Sequence, residues 1–265
     1  MKGQDDRVAF SDDPVGNDLS EEKEYFDVIG DIHGCYEELR DLLQALGYEI
    51  DGNGLCRTAA SRRKVVFLGD LVDRGPMTPA VLALVMDMVA SGMALCILGN
   101  HEEKLLRALK GRKVIIDHGL RESMEQLKGE SEQFITEVMG FLDSLSAHCL
   151  LDGGKLVVAH AGLPESMHGK QSRSARSFAL YGKTTGGVDE FGLPVRENWA
   201  KDYRGQAMVV YGHTPVSEPK WLNKTICLDT GCVYGGKLTA LRYPELELAS
   251  IPARRVYYER SRPFD

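Results

Sequence analysis

In the first half of the chain, a short apolar run three times ends in a glycine-flanked polar turn and then gives way to a helical repeat. Tyr25, Phe26, Val28 and Ile29 form the first run, interrupted by Asp27, and it ends in Gly30-Asp31-Ile32-His33-Gly34. From Tyr36 to Leu46, Leu39, Leu42, Leu43 and Leu46 fall at helical spacing, and Gly47 is placed to stop that helix. Val65-Val66-Phe67-Leu68 is the second run, followed at once by Gly69, Asp70, Asp73, Arg74 and Gly75. Pro79 suits the first turn of the next helix, which carries Val81, Leu82, Leu84, Val85 and Met88. The third run, Ala94 to Leu98, ends in Gly99-Asn100-His101-Glu102, and Leu105, Leu106 and Leu109 continue as a helix. Three such units predict an α/β fold: a largely parallel sheet with helices on its faces and right-handed crossovers. Their polar turns would then share the carboxyl edge of the sheet, where open α/β sheets hold ligands.

Residues 103 to about 150 read as mostly helical, with Ile135, Val138, Met139, Phe141 and Leu142 on one face, and suggest a cap beside that edge. The second half is strand-rich, with apolar runs at Leu156–Val158, Met208–Tyr211, Thr225–Leu228, Leu238–Leu241 and Leu246–Ile251. Between them, residues 162–206 are rich in Gly, Ser, Thr, Arg and Pro and show little periodicity. A stretch that long without clear elements is more often functional than idle, so it is assigned to the substrate side.

Composition narrows the class. A hydrophobic fraction of 43% and a charged fraction of 27% in 265 residues are ordinary for a globular protein. No apolar run is long enough for a membrane span, and no secretory signal opens the chain, so the expected compartment is cytoplasmic, with no membrane partner. The net charge of −7 argues against gripping long nucleic acid by charge alone. Residues 1–24 hold eight acids against three bases, few apolar residues and no periodicity, and are expected to be a disordered tail. Residues 25–265 are then a single domain with a nearly neutral body. The six cysteines form no tight framework and are expected to be buried free thiols.

The strand ends carry the chemistry. The first three give Asp31 and His33, then Asp70, Asp73 and Arg74, then Asn100 and His101. Leu156–Val158 leads to His160 in Ala159-His160-Ala161, and Met208–Tyr211 leads to His213 in Gly212-His213-Thr214. Small neighbours let backbone approach closely and leave room for an ion. Asp, His and Asn donors without Cys suit Mn, Fe or Zn, and a carboxylate can bridge two such ions. Four histidines, two aspartates and an asparagine at matching strand ends outweigh a purely structural role. His118, His148 and His168 lack that context and read as surface or satisfied core residues. Asp73 alone could cap a turn, and Asp229 reads as a turn or supporting residue rather than a ligand. Gly182-Lys183-Thr184 imitates the end of a phosphate-binding loop, but Ser177 stands where that motif requires Gly.

Taken together, Gly30–Gly34, Gly69–Gly75, Gly99–Glu102 and the two later histidines resemble the signature of the phosphoprotein-phosphatase branch of metallophosphoesterases. Phe178–Gly182, Gly192–Arg196, Tyr211–Val216 and Asp229–Gly236 are similar to PrpE-type bis(5′-nucleosyl)-tetraphosphatases and to the phosphatase module of bacterial polynucleotide kinase–phosphatases. The resemblance covers nearly everything from residue 25 onward. It implies a calcineurin-like α/β fold, with a central β-sandwich of mixed sheets flanked by helices and a helical cap. It implies two divalent metal ions, manganese first, with iron, zinc or nickel as alternatives. Asp31, His33 and Asp70 would hold one ion, and Asp70, Asn100, His160 and His213 the other. His101 would be the general acid, Asp73 would orient it, and Arg74 would clamp phosphoryl oxygens. Arg196 and Arg204 are both placed to be a second phosphate contact, and Tyr181, Trp199 and Tyr203 are near enough in sequence to stack a base. The implied activity is hydrolysis of a nucleotide-type phosphate ester or anhydride by in-line attack of a metal-bridging hydroxide. A dinucleoside tetraphosphate is the leading substrate. Alternatives are a polynucleotide 2′,3′-phosphatase acting on RNA ends and a serine/threonine phosphoprotein phosphatase. No obligate protein partner is implied.

Overall fold

A computed structural model describes residues 18–21, 25–51, 56–59 and 63–260. The expectation of a disordered tail falls mainly on residues 1–17 and 22–24, which lie outside the described residues. The chain opens with β1 (Tyr25–Ile29), α1 (Tyr36–Leu46), a small hairpin of β2 (Tyr48–Ile50) and β3 (Cys56–Ala59), β4 (Arg63–Phe67), α2 (Thr78–Ala90) and β5 (Ala94–Cys96). Three helices follow: α3 (Asn100–Leu109), α4 (Leu120–Leu127) and α5 (Glu132–Ser144). Next come β6 (His148–Leu151), β7 (Leu156–Ala159), α6 (Arg173–Tyr181) and a second hairpin, β8 (Thr184–Val188) with β9 (Pro194–Arg196). The chain then runs through β10 (Met208–Tyr211), β11 (Trp221–Leu222), β12 (Thr225–Cys227), β13 (Lys237–Tyr243) and β14 (Glu247–Pro252).

Two five-stranded sheets form the centre, in the orders β14-β13-β1-β4-β5 and β11-β12-β10-β7-β6. The parallel reading holds for β1-β4-β5, and β12-β10-β7 repeats it in the second sheet. Antiparallel strands complete each sheet, so both are mixed. The alternation along each strand explains the layers. Phe26, Val28, Val66 and Leu68 from one sheet meet Leu156, Val158, Val210 and Ile226 from the other, forming the core between them. The intervening Ile29, Val65 and Phe67 face outward and join Leu39, Leu42 and Leu43 of α1 and Val81 and Val85 of α2 in a second core. α1 ends as its sequence predicts, with Gly47 left-handed at φ 96°. α4 and α5 pack on α2 and α3 beside the sheet edge. Residues 162–206 carry more regular structure than their composition suggested. α6 buries only Ala175, Ala179 and Leu180, too thin a stripe to read among serines and arginines.

Asp18 to Glu21 lie along β6: Leu19 N–H donates to the Leu150 carbonyl at 3.0 Å, and Leu19 packs against the inter-sheet core. Among the described residues no helix is long and apolar enough to cross a membrane.

The interruption at Asp27 has a structural cause. Its side chain is fully buried on the outer face, where Oδ1 accepts from Arg63 Nε at 3.0 Å and Arg242 Nε at 3.1 Å. Oδ2 accepts from the Tyr48 hydroxyl at 2.9 Å. Asp27 therefore joins β1, β4, β13 and the first hairpin. Asp27→Asn should cost about 2–3 kcal/mol, because Arg242 loses its carboxylate while Arg63 keeps Glu245. Urea unfolding checks this, and a midpoint within error of wild type would contradict it.

Candidate active site

The carboxyl ends of β1, β4, β7 and β10 and the start of α3 converge on one buried point. His33, Asp70, Asp73, Arg74 and His213 all have positive φ, between 46° and 74°. Such backbone costs about 1–3 kcal/mol per residue and persists only where the surroundings enforce it. The enforcing contacts are visible. The Ile32 and His33 N–H groups both donate to the Asp70 carbonyl, at 3.0 and 2.8 Å, and Gly34 N–H donates to the Leu71 carbonyl at 2.8 Å. Glycines permit the crowding: a Cβ on Gly212 would sit 2.0 Å from Asp31 Oδ1, and one on Gly99 would sit 2.4 Å from Asp70 Oδ1.

Asp70 is the centre of the cluster. Its Oδ2 lies 3.5 Å from His33 Nε2, and its Oδ1 lies 3.3 Å from His160 Nε2. His160 Nε2 is also 3.0 Å from Asn100 Oδ1 and 2.9 Å from His213 Nδ1. His33 Nδ1 is 2.7 Å from the Val72 carbonyl and His160 Nδ1 is 3.0 Å from the Leu68 carbonyl. Those carbonyls can only accept, so each Nδ1 carries a proton, and Nε2 is the atom that each ring presents to the cluster, beside Asp70 in both cases and also within reach of Arg74 for His33. Acceptors thus face acceptors across the site. The His213 backbone N–H donates to Asp31 Oδ2 at 2.9 Å, but Asp31 Oδ1 and His213 Nε2 are buried without partners. Such a set is costly alone and is satisfied by cations.

The electrostatics agree with that reading. Burial, then the Asp229 and Asp70 carboxylates, push Asp31 well above the ordinary carboxylate range. Burial opposes charge on Asp70 as well, but His160 foremost holds it well below that range, and the Asp70 carboxylate in turn draws the His160 imidazole up against its burial. Burial, with Arg74 beside His33 and with His160 and Arg196 near His213, keeps these two imidazoles neutral, the form that ligates. The nitrogen and oxygen donors present fit divalent ions of the Mn, Fe or Zn kind.

Beside this cluster, His101 Nδ1 is 2.6 Å from Asp73 Oδ2, and its Nε2 is 2.9 Å from Arg74 Nη2. Arg74 also reaches His33 Nε2 at 2.5 Å and lies over the Tyr234 ring, 5.4 Å from its centroid. Helix α4 braces the turn: Ser123 Oγ accepts from Asp73 N–H at 2.8 Å, and Gln126 Nε2 donates to the Gly75 carbonyl at 2.9 Å. Ser123 and Gln126 look like surface polar residues of a helix and carried no signal in the sequence. Glu102, fully buried, accepts from the N–H groups of Asp70, Leu71, Val72 and Gly99. It stands in the third strand-end motif, but nothing in its spacing revealed this clamp.

The outer candidates separate. Arg196 is half-buried, feels the Asp70 carboxylate, helps keep His213 neutral, and donates from Nη1 to the Tyr181 carbonyl. Arg204 is exposed and folds back onto the Lys201 and Tyr203 carbonyls, both at 2.8 Å. Tyr181 is 39% exposed, with its hydroxyl on Glu103. Trp199 packs against Phe178, Tyr203 and Tyr211, and Tyr203 is buried, so neither ring is free to stack a base. Asp229 is buried near the cluster, pushed up to about 6 chiefly by burial, and its Oδ1 accepts from Gly231 N–H at 3.0 Å. His148 is buried in β6 and His168 Nε2 donates to the Leu163 carbonyl at 3.1 Å, while His118 is exposed beside the turn of Arg74.

Comparison with known proteins agrees with this geometry. A bis(5′-nucleosyl)-tetraphosphatase PrpE (asymmetrical) of Anoxybacillus flavithermus is 44% identical over 91% of this chain and 99% of its own length. The protein of the same name from Bacillus subtilis is 43% identical over 90% of this chain and 99% of its own. The crystal structure of a candidate diadenosine tetraphosphatase superposes with a TM-score of 0.63 at 26% identity, covering 89% of this chain and 96% of that one. A Saccharomyces cerevisiae serine/threonine phosphatase shares the fold, with a TM-score of 0.59 at 17% identity over 88% of this chain and 81% of that one. The calcineurin-like phosphoesterase profile matches residues 25–228, and the chain belongs to that family of metal-dependent hydrolases.

Proposed function

We propose that this enzyme hydrolyses dinucleoside tetraphosphates asymmetrically, to a nucleoside triphosphate and a nucleoside monophosphate, in the cytoplasm. The observation that carries the reading is the pair of imidazole Nε2 atoms, from His33 and His160, set beside opposite oxygens of Asp70. On this reading Asp31, His33 and Asp70 hold one divalent ion, and Asp70, Asn100, His160 and His213 hold the other. Such a pair, manganese being our first choice, lowers the pKa of a bound water and neutralises phosphoryl oxygens. The names of the similar tetraphosphatases support the substrate class.

The protein groups then have separate tasks. Arg74, beside His33 and His101, and Arg196, near Asp70 and His213, bind phosphoryl oxygens, which holds the chain of phosphates in line. His101 Nε2 delivers a proton to the departing oxygen. Asp73, at 2.6 Å from Nδ1, fixes the ring so that Nε2 is the atom aimed at the departing oxygen. His101→Asn should lower turnover on a dinucleoside tetraphosphate roughly 10³-fold with metal content unchanged. An aryl phosphate, whose phenolate leaves without a proton, should lose much less. Equal losses on both substrates would remove His101 from the acid role.

The substrate assignment is tested by comparing kcat/KM with Mn²⁺ for diadenosine tetraphosphate, a phosphoserine peptide and an RNA 3′-phosphate. The expected result is preference for the first, giving ATP and AMP in equal amounts. Chelator treatment should abolish the activity, and added Mn²⁺ should restore it. Preference for the peptide or the RNA end would move the enzyme to one of the alternative substrates. Two ADP molecules as products would overturn the asymmetrical cut.

A further inference from the structure

Behind the site, on the outer face of the first sheet, three ligand-type side chains meet without any role in the proposed reaction. Cys35 stands at the start of α1, and Glu38, three residues on, shares its face of the helix. Cys232 comes from the turn after β12, nearly 200 residues later in sequence. The two sulfurs and a carboxylate oxygen all lie within 4.8 Å of one another, and all three residues are buried. We propose that Cys35, Glu38 and Cys232 form a separate binding site for a thiophilic divalent ion of the zinc class.

The geometry suits that ion. Zinc–sulfur bonds of about 2.3 Å and zinc–oxygen bonds of about 2.1 Å place tetrahedral ligands roughly 3.5–4 Å apart. The carboxylate is held as a ligand needs to be held. Glu38 Oε1 accepts from Arg254 N–H at 2.9 Å and from the Tyr257 hydroxyl at 2.7 Å. Oε2 is buried with no partner. The Arg254 guanidinium pairs with Glu37 and Asp41, and among the described residues no side-chain cation forms an ion pair with Glu38. A buried carboxylate oxygen without a donor is costly, and a cation removes that cost. A cavity of about 390 Å³ lined by Cys35, Glu38, Met77, Arg254 and Tyr257 adjoins the cluster, giving an entry route and room for a water as fourth ligand.

The donor set also tells this site from the one at the strand ends. Two sulfurs and one oxygen select a softer ion than the nitrogen and oxygen donors around Asp70. Binding would release the two thiol protons and keep both sulfurs as thiolates. The ion would tie the start of α1 to the turn bearing Tyr234, on which Arg74 rests, and to the C-terminal segment through Arg254 and Tyr257.

Cobalt(II) is the probe, because thiolate ligation alone gives a near-ultraviolet sulfur-to-cobalt charge-transfer band. The nitrogen and oxygen cluster gives none, so the readout is independent of hydrolysis. Reduced, metal-stripped full-length protein titrated with Co²⁺ should develop the band, saturating at about one ion per chain, and Zn²⁺ should displace it. Cys232→Ser and Cys35→Ala should each lose the band while keeping the wild-type far-ultraviolet circular dichroism. Glu38→Gln should weaken it, and Cys149→Ser, in the inter-sheet core, should retain it. Absence of the band in the reduced wild type overturns the proposal. A band that survives loss of Cys35 and of Cys232 also overturns it.

Discussion

Asp70→Asn is expected to lower turnover by more than about 10⁵-fold while the two sheets remain folded. The effect is large because one side chain faces both halves of the cluster. Oδ1 accepts from the His101 backbone N–H at 3.2 Å and lies beside His160 Nε2, while Oδ2 lies beside His33 Nε2 and 3.8 Å from His101 Nε2. An amide at this position has only one way to sit. Its oxygen must stay on the His101 N–H, so its NH₂ group turns towards His33 Nε2, whose lone pair already faces Arg74, and sets a donor where the carboxylate offered an acceptor. The substitution therefore removes from the Asp31–His33 side both the carboxylate oxygen an ion there would need and the shared charge. Elemental analysis should therefore show that ion lost and the other weakened, with unfolding by urea close to wild type. A variant that keeps both ions and more than a few per cent of the activity would refute the bridging role of Asp70.

Much of this centre was legible in the sequence because its local grammar is strict. Apolar runs that stop at Gly30, Gly69 and Gly99 place their polar residues at strand ends whatever the rest of the fold does. The bounds of α1 follow for the same reason, from its leucine spacing and Gly47. Pairing between distant strands was not legible. β13 inserts beside β1 and turns a parallel sheet into a mixed one, and no local pattern encodes that neighbour. Asp27 reads as a flaw in a strand until Arg63, Arg242 and Tyr48 arrive from three other elements. Arg196 and Arg204 could not be told apart, since the difference lies in how the second hairpin folds back towards Asp70. Supporting residues were the hardest to see. Ser123 and Gln126 have the composition of an exposed helix face, and only the packing of α4 against the Asp73 turn reveals their purpose.

Glu102→Gln, an isosteric change that leaves every proposed ligand in place, is expected to destabilise the protein by about 4 kcal/mol and to cut turnover at least tenfold. The reason is a mismatch of donors. Glu102 Oε2 accepts from Asp70 N–H at 2.7 Å and Gly99 N–H at 3.0 Å. Oε1 accepts from Leu71 N–H at 2.8 Å and Val72 N–H at 3.2 Å. An amide satisfies one pair and points its own NH₂ at the other, in a fully buried place. Either orientation leaves two buried N–H groups unpaired, at about 1–3 kcal/mol each. The consequence reaches the chemistry because these four groups frame the turn in which Asp70 and Asp73 hold φ of 48° and 74°. Without the frame that turn relaxes towards ordinary backbone, Asp70 leaves the line between His33 and His160, and Asp73 loses its aim at His101. Urea unfolding gives the first effect. Turnover at saturating Mn²⁺, measured where the variant is still folded, gives the second and separates misplacement from unfolding. Wild-type turnover in a folded but destabilised variant would confine Glu102 to stability, and wild-type values of both would mean the carboxylate does not hold the turn at all.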